Sequence, residues 1–199
     1  MPTQNLIAPR SHVSQEMREA RQPHKGMVFW LTGLSGAGKS TLAHNAELQL
    51  FNSGYDIVVL DGDAIRTGLC NDLGFSPEDR AENNRRVAEL AKILMRNGTV
   101  CLCAFISPAT EARATAKKII GEDFFREVFV SCSPEECERR DVKGFYEKAH
   151  KGIIKNYTGV SSGYEAPHNP NIEICTDQAS EEECTQQLLA FIRSQCQKG

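Results

Sequence analysis

The chain has 199 residues, 40% of them hydrophobic, which is enough to bury one core of ordinary domain size without disulfide staples. A formal charge of −3 and a pI near 6.0 exclude a protein held to nucleic acid by a general basic field, so any anionic ligand has to be met by locally placed cations. The eight cysteines are too sparse for a disulfide scaffold and include no zinc-type Cys-x-x-Cys pair, and no apolar run has the length of a membrane span. Reduced thiols and a cytoplasmic protein without membrane association are the expectation.

Residues 1–26 are polar, carry Pro2, Pro9 and Pro23, and show no sustained period. They read as an arm, disordered or packed on a neighbour, preceding one folded domain over 27–199. The apolar run Val28, Phe29, Trp30, Leu31 then meets Thr32 and a complete Walker A loop: Gly33, Leu34, Ser35, Gly36, Ala37, Gly38, Lys39, Ser40, Thr41. A buried strand, a glycine-rich turn and a helix of apolar spacing (Leu42, Ala46, Leu50) give this motif the context it requires. Backbone N–H groups and the helix N-terminus make an anion cradle. Lys39 is expected on the β- and γ-phosphates of a nucleotide, and the Ser40 hydroxyl on Mg²⁺.

Residues 55–60 predict a second parallel strand, ending in Asp61, Gly62, Asp63, Ala64, Ile65, Arg66. Its two carboxylates fall on the sheet edge that carries the Walker loop. One can cap the following helix, while at least one can orient Mg²⁺ waters or an acceptor hydroxyl. Ser76-Pro77-Glu78-Asp79 opens a long helix with Val87, Leu90, Ala91, Leu94 and Met95 as its core stripe and Arg80 and Asn83 on a polar face of the first turns.

The run 99–106 predicts a central strand with Cys101 and Cys103 as small core fillers, delivering Ile106, Ser107 and Pro108 to the same edge. A serine before a proline predicts an N-cap at Ser107. A helix to Ile120, a strand over 127–132, a helix capped at Ser133, a charged segment over 139–155, a strand over 172–176 and a final helix capped at Ser180 complete the chain. A charge run is usually a solvated face, but in a small kinase a basic segment can close over the phosphates. The predicted fold is α/β of the P-loop kinase type: a five-stranded parallel sheet, order 2-3-1-4-5, with helices on both faces and a mobile lid over about 139–160. The residues alone leave open a small-molecule kinase of unspecified acceptor and a nucleotide-gated interaction protein.

Several of these stretches together resemble the adenylyl-sulfate (APS) kinase family: the Walker loop from Trp30 to Thr41, Asp61-Gly-Asp63 with Arg66, Asp72-Leu-Gly-Phe-Ser-Pro-Glu-Asp-Arg80 with Asn83, Ile106-Ser-Pro108, Asp141-Val-Lys-Gly144, and Tyr157-Thr-Gly159. The resemblance runs from about residue 12 to the C-terminus. It implies transfer of the γ-phosphoryl group of ATP, with Mg²⁺, to the 3′-hydroxyl of adenylyl sulfate. It implies Phe75 and Tyr157 on the two faces of the acceptor adenine, and Arg66, Arg80 and Asn83 on its phosphosulfate and ribose. Ile106 and Ser107 border the base, Lys143 and Gly144 arrive on the lid, and Arg140 and Thr176 lie on the ATP side with the Walker residues.

Asp63 is expected to receive or orient the acceptor proton and to attend the metal with Ser40, with Asp61 as the alternative. A family phosphoserine role matches Ser107, although in-line transfer needs no covalent stop. A homodimer and a functional link to a sulfate adenylyltransferase are also implied. The chain departs from the family pattern at Ala64, Asn84, Ala109, Phe145 and Tyr157.

Overall fold

The computed structural model describes residues 11–141, 144–154 and 156–198. The short apolar runs form β1 (Val28–Thr32), β2 (Ile57–Asp61), β3 (Val100–Ala104), β4 (Phe125–Ser131) and β5 (Ile172–Cys175), all paired in parallel in the order β2-β3-β1-β4-β5. The sheet order read from the sequence is thus the observed one. Strand β1 is central and fully buried, as a strand covered on both faces must be. Its alternate residues feed two cores. Phe29 and Leu31 pack beneath α2 (Lys39–Asn52) and α8 (Glu181–Cys196), whereas Val28 and Trp30 pack beneath α4 (Pro77–Arg96) and α5 (Thr110–Ile120).

The register sets Asp61 and Leu31 beside Ala104, and Thr32 beside Phe129, so the carboxyl ends of the strands open onto one edge. Ligands of open parallel sheets bind at that edge. Caps are where the sequence put them at Ser76, Ser133 and Ser180, the last with Glu183 in a reciprocal capping box. Cys101 and Cys103 are fully buried fillers; burial pushes the Cys101 thiol up to about 12 and Cys103 in the same direction. No helix among the described residues is long and apolar enough to cross a membrane.

Strand limits shift where side chains compete for the backbone. The stretch expected as strand from residue 55 starts at Ile57, because Tyr55 stacks on His24 with ring centroids 4.5 Å apart and the Asp56 N–H donates to His24 Nε2 at 2.9 Å. The described part of the arm, 11–26, lies against this far end of the sheet. It includes α1 (Gln15–Glu19), Gly26 N–H donates to Glu19 Oε1 at 2.9 Å, and Lys25 N–H donates to the Cys196 carbonyl at 2.9 Å.

His24 is fully buried, and its Nδ1 lies 3.2 Å from the Lys25 carbonyl. With Nε2 accepting from Asp56, the ring is neutral and carries its proton on Nδ1. Burial, the larger influence, lowers its pKa below 6.5; the Lys25 carbonyl, Asp56 and Glu19 act the other way, and Lys198 adds to the lowering. A folded-state pKa below the unfolded one gives stability that is full above pH 6.5 and is lost as pH falls toward the folded value. Thermal melts between pH 7 and pH 5 are therefore expected to show a larger fall in Tm for the wild type than for His24→Gln, whose amide does not titrate.

Candidate active site

The Walker loop joins β1 to α2. Gly36 has φ +81°, and a Cβ there would come within 2.8 Å of the Cys137 carbonyl, so at this turn glycine satisfies both conformation and space. Lys39 is 8% exposed, and its Nζ donates to the carbonyls of Gly33 at 2.9 Å and Leu34 at 2.7 Å. The ammonium is thereby laid back across the loop that would hold the phosphates.

Two further elements brace this loop. From α6 (Pro134–Arg140), the Arg140 guanidinium donates to the Thr176 carbonyl at 2.8 Å and Thr176 Oγ1 at 3.2 Å, and Thr176 Oγ1 in turn donates to the Ala37 carbonyl at 2.9 Å. From α7 (Phe145–His150), Tyr146 Oη donates to the Ser35 carbonyl at 3.0 Å. The charged segment over 139–155 thus holds a short helix with Tyr146 and Ala149 buried, a stripe too narrow to register in the pattern.

At the end of β2, Asp61 caps α3 (Gly62–Thr67), accepting from the Asp63 N–H at 2.9 Å and from Ser40 Oγ at 2.6 Å. The carboxylate bonded to the Walker serine is therefore that of Asp61, whereas Asp63 stands one step further along, in the first turn of α3. Ser40 and Asp61 supply hard oxygen donors at the cradle, a donor set that fits Mg²⁺.

On the other side, Phe75 is 61% exposed and flanked by cations, with the Arg66 guanidinium 4.4 Å and that of Arg80 6.0 Å from its ring centre. Arg66 donates to the Gly74 carbonyl at 2.8 Å, and Arg80 to the Phe75 carbonyl at 2.9 Å, Thr158 Oγ1 at 2.6 Å and the Asn156 carbonyl at 2.6 Å. Burial lowers the pKa of both arginines, and Arg66 lowers that of Arg80 further. Two cations held together by neutral acceptors make a place for an anion. Beside Arg80, Asn83 is 3% exposed and its Oδ1 is buried, with no hydrogen-bond partner among the described residues.

Tyr157 is 8% exposed, its ring edge-on to Tyr146 at 5.1 Å and Phe145 at 6.4 Å. In this state it is a core ring, and Phe75 alone of the expected pair presents a broad open face. Arg80 nonetheless ties the two regions together, and beyond them Gly159 lies against Leu34 of the Walker loop. A cleft of about 510 Å³ runs there, lined by Leu34, Pro134, Val160, Ser162 and Tyr164. Gly144 is the N-cap of α7; Lys143 lies outside the described residues.

Ser107 corrects one expectation. It does not cap α5, whose N-cap is Ala109. Ser107 is 3% exposed with φ +42°, its Oγ accepts from Trp30 Nε1 at 3.0 Å and donates to Asn84 Oδ1 at 3.3 Å, and its carbonyl accepts from Arg113 at 2.8 Å. The helix start is served by Glu165, whose carboxylate accepts from the Thr110 N–H at 2.8 Å. Next to it, the Ile106 carbonyl accepts from Thr32 Oγ1 at 2.7 Å. Arg113, buried between Glu127 at 2.7 Å and Ser107, was missed; on a helix it reads as a surface charge, and no local pattern marks it.

Comparison with known proteins agrees with this arrangement. The sequence profile of the adenylylsulphate kinase family matches residues 25–175. The chain is 47% identical over 189 residues to the adenylyl-sulfate kinase of Thermodesulfovibrio yellowstonii, covering 95% of this chain and 94% of that one, and 42% identical over 194 residues to that of Bacillus velezensis, covering 98% of each. The structure is similar to an APS kinase of Mycobacterium tuberculosis in complex with AMPPNP and APS, with TM-score 0.82 and 43% identity over 86% of this chain and 99% of that one. A gluconokinase of Sinorhizobium meliloti, at 15% identity and TM-score 0.51 over 87% of this chain and 94% of that one, shares the fold. Matched nearly end to end by these relatives, with its Walker loop, paired acids and arginine-flanked phenylalanine on one sheet edge, the chain belongs to the adenylylsulphate kinase family.

Proposed function

We propose that the chain transfers the γ-phosphoryl group of Mg·ATP to the 3′-hydroxyl of adenylyl sulfate, giving 3′-phosphoadenylyl sulfate and ADP. The observation that carries this reading is the pair of arginines around exposed Phe75, on the same sheet edge as the Walker cradle: an aromatic face for a base beside cations for its phosphosulfate. Stacking on one aromatic is worth ~1–3 kcal/mol, enough to place an adenine. Transfer of this kind is dominated by positioning and charge stabilisation. Lys39 and the loop amides hold the triphosphate, Arg140 and Thr176 support the loop on the donor side, and Asp63 orients the acceptor hydroxyl and takes its proton. Ser40 and Asp61 would hold Mg²⁺, which would supply charge neutralisation at the phosphate oxygens.

Ser107 lies between an indole and an amide, with no base beside it among the hydrogen bonds it makes, which supports direct transfer over a phosphoserine intermediate. Closure of the 139–160 segment, with Lys143, would complete the site, Tyr157 turning out to meet the base opposite Phe75. The same reading makes the protein a cytoplasmic homodimer that draws its acceptor from an adenylyl transfer to sulfate. Incubation with Mg·ATP and a panel of nucleoside, sugar and sulfated acceptors, followed by ADP release, tests it. Adenylyl sulfate is expected to stand out, and ADP release indifferent to acceptor would overturn it.

A further inference from the structure

We propose that Asn84 is a positioning residue for the acceptor pocket, acting through Ser107 and Trp30. The inference rests on the adenylyl sulfate reading and deepens it, because that reading gives Asn84 no part. A polar side chain 4% exposed on the inner face of α4 calls for an explanation, and its hydrogen bonds supply one.

An indole N–H can only donate, so at 3.0 Å the Ser107 oxygen accepts from Trp30. The hydroxyl hydrogen must then go elsewhere, and Asn84 Oδ1 lies 3.3 Å away. The direction of the chain is fixed: Trp30 to Ser107 to Asn84. It also fixes the orientation of the amide, leaving Nδ2 buried with no partner among the described residues, a cost the fold accepts at this position.

What the chain restrains is Ser107 at φ +42°, a conformation that non-glycine residues hold only under constraint from their surroundings. Arg113 of α5 holds the Ser107 carbonyl and Thr32 of β1 that of Ile106. Among the described residues, the Asn84 bond is the tie from this segment to α4, the helix that also carries Arg80 and Asn83. Asn84 thus sets the 106–108 wall of the acceptor pocket against the helix that supplies its polar groups, and its own hydrogen bond among the described residues goes to Ser107 and not to the phosphate-holding residues 33–41.

The test is a double-mutant cycle on the full chain with Asn84→Leu, Ser107→Ala and the pair, reading KM for both substrates and the emission of Trp30, which is the single tryptophan of the protein. Each single variant is expected to raise KM for adenylyl sulfate roughly threefold to tenfold, the worth of about one net hydrogen bond, with KM for ATP unchanged. The double variant should match the single ones, not their product, and Trp30 emission should shift in all three. Asn84→Asp, which keeps an acceptor of the same shape, should lie closer to wild type than Asn84→Leu and serves also if the leucine variant fails to fold. Multiplicative effects, equal rises in both KM values, or an unchanged KM for adenylyl sulfate would overturn the proposal. If the wild type shows no ADP release in response to adenylyl sulfate, the functional reading fails instead. The Trp30 emission cycle then still decides the linkage, additive shifts counting against it.

Discussion

An Asp63→Asn variant is expected to turn over ~10²–10⁴ times more slowly than the wild type while still binding Mg·ATP. The geometry at the end of β2 separates the two acids. Asp61 accepts from Ser40 Oγ at 2.6 Å and from the Asp63 N–H at 2.9 Å, so its carboxylate is committed to the Walker serine and to the helix cap. Asp63, in the first turn of α3, is the acid beyond it toward Arg66. Asparagine keeps the shape and loses the charge and the ability to take a proton, so nucleotide affinity should persist while the chemical step suffers. Single-turnover ADP release with saturating adenylyl sulfate, beside an ATP titration, checks this; near-normal turnover would move the role to Asp61 or to positioning alone.

Lys39→Met is expected to cost about 10²–10³ in turnover at saturating ATP, and to weaken ATP binding as well. Removing one preorganised charge that stabilises a transferring group costs ~3–4 kcal/mol, which converts to that factor. The ammonium rests on the Gly33 and Leu34 carbonyls of the same loop, acceptors it would exchange for phosphate oxygens when a triphosphate arrives. Methionine fills a similar volume, and the melting temperature should stay close to that of the wild type. A full-rate Met variant, measured by steady-state ADP release, would remove the lysine from the mechanism.

The strands, the helix starts and the Walker loop were legible because each rests on local signals, namely runs of buried apolar residues, glycines at fixed offsets, and serine caps followed by acids at Ser76, Ser133 and Ser180, while the sheet order came from the fold type that the Walker loop and right-handed crossovers indicate. The Ser107 cap failed for a long-range reason. Trp30, Asn84 and Arg113 claim that residue from three other elements, and Glu165 serves the helix start in its place. The same limit hid Arg113, and it hid the docking of His24 at the far end of the sheet. The buried state of Tyr157 was also out of reach, since a tyrosine in a loop of glycines and serines carries no sign that Tyr146 waits to pack on it. Between the two acids, the sequence reading set Asp63 beside Ser40 with Asp61 as the alternative, and the 2.6 Å bond from Ser40 to Asp61 is information of a kind that spacing does not contain.

The order β2-β3-β1-β4-β5 has an evolutionary corollary. The loops that brace the Walker turn leave β1, β4 and β5, whereas the acids, the arginines and Phe75 hang from β2, α3 and α4 on the opposite flank. The architecture is modular in that sense: one half can be kept as a standing power supply while the other is rewritten for a new customer.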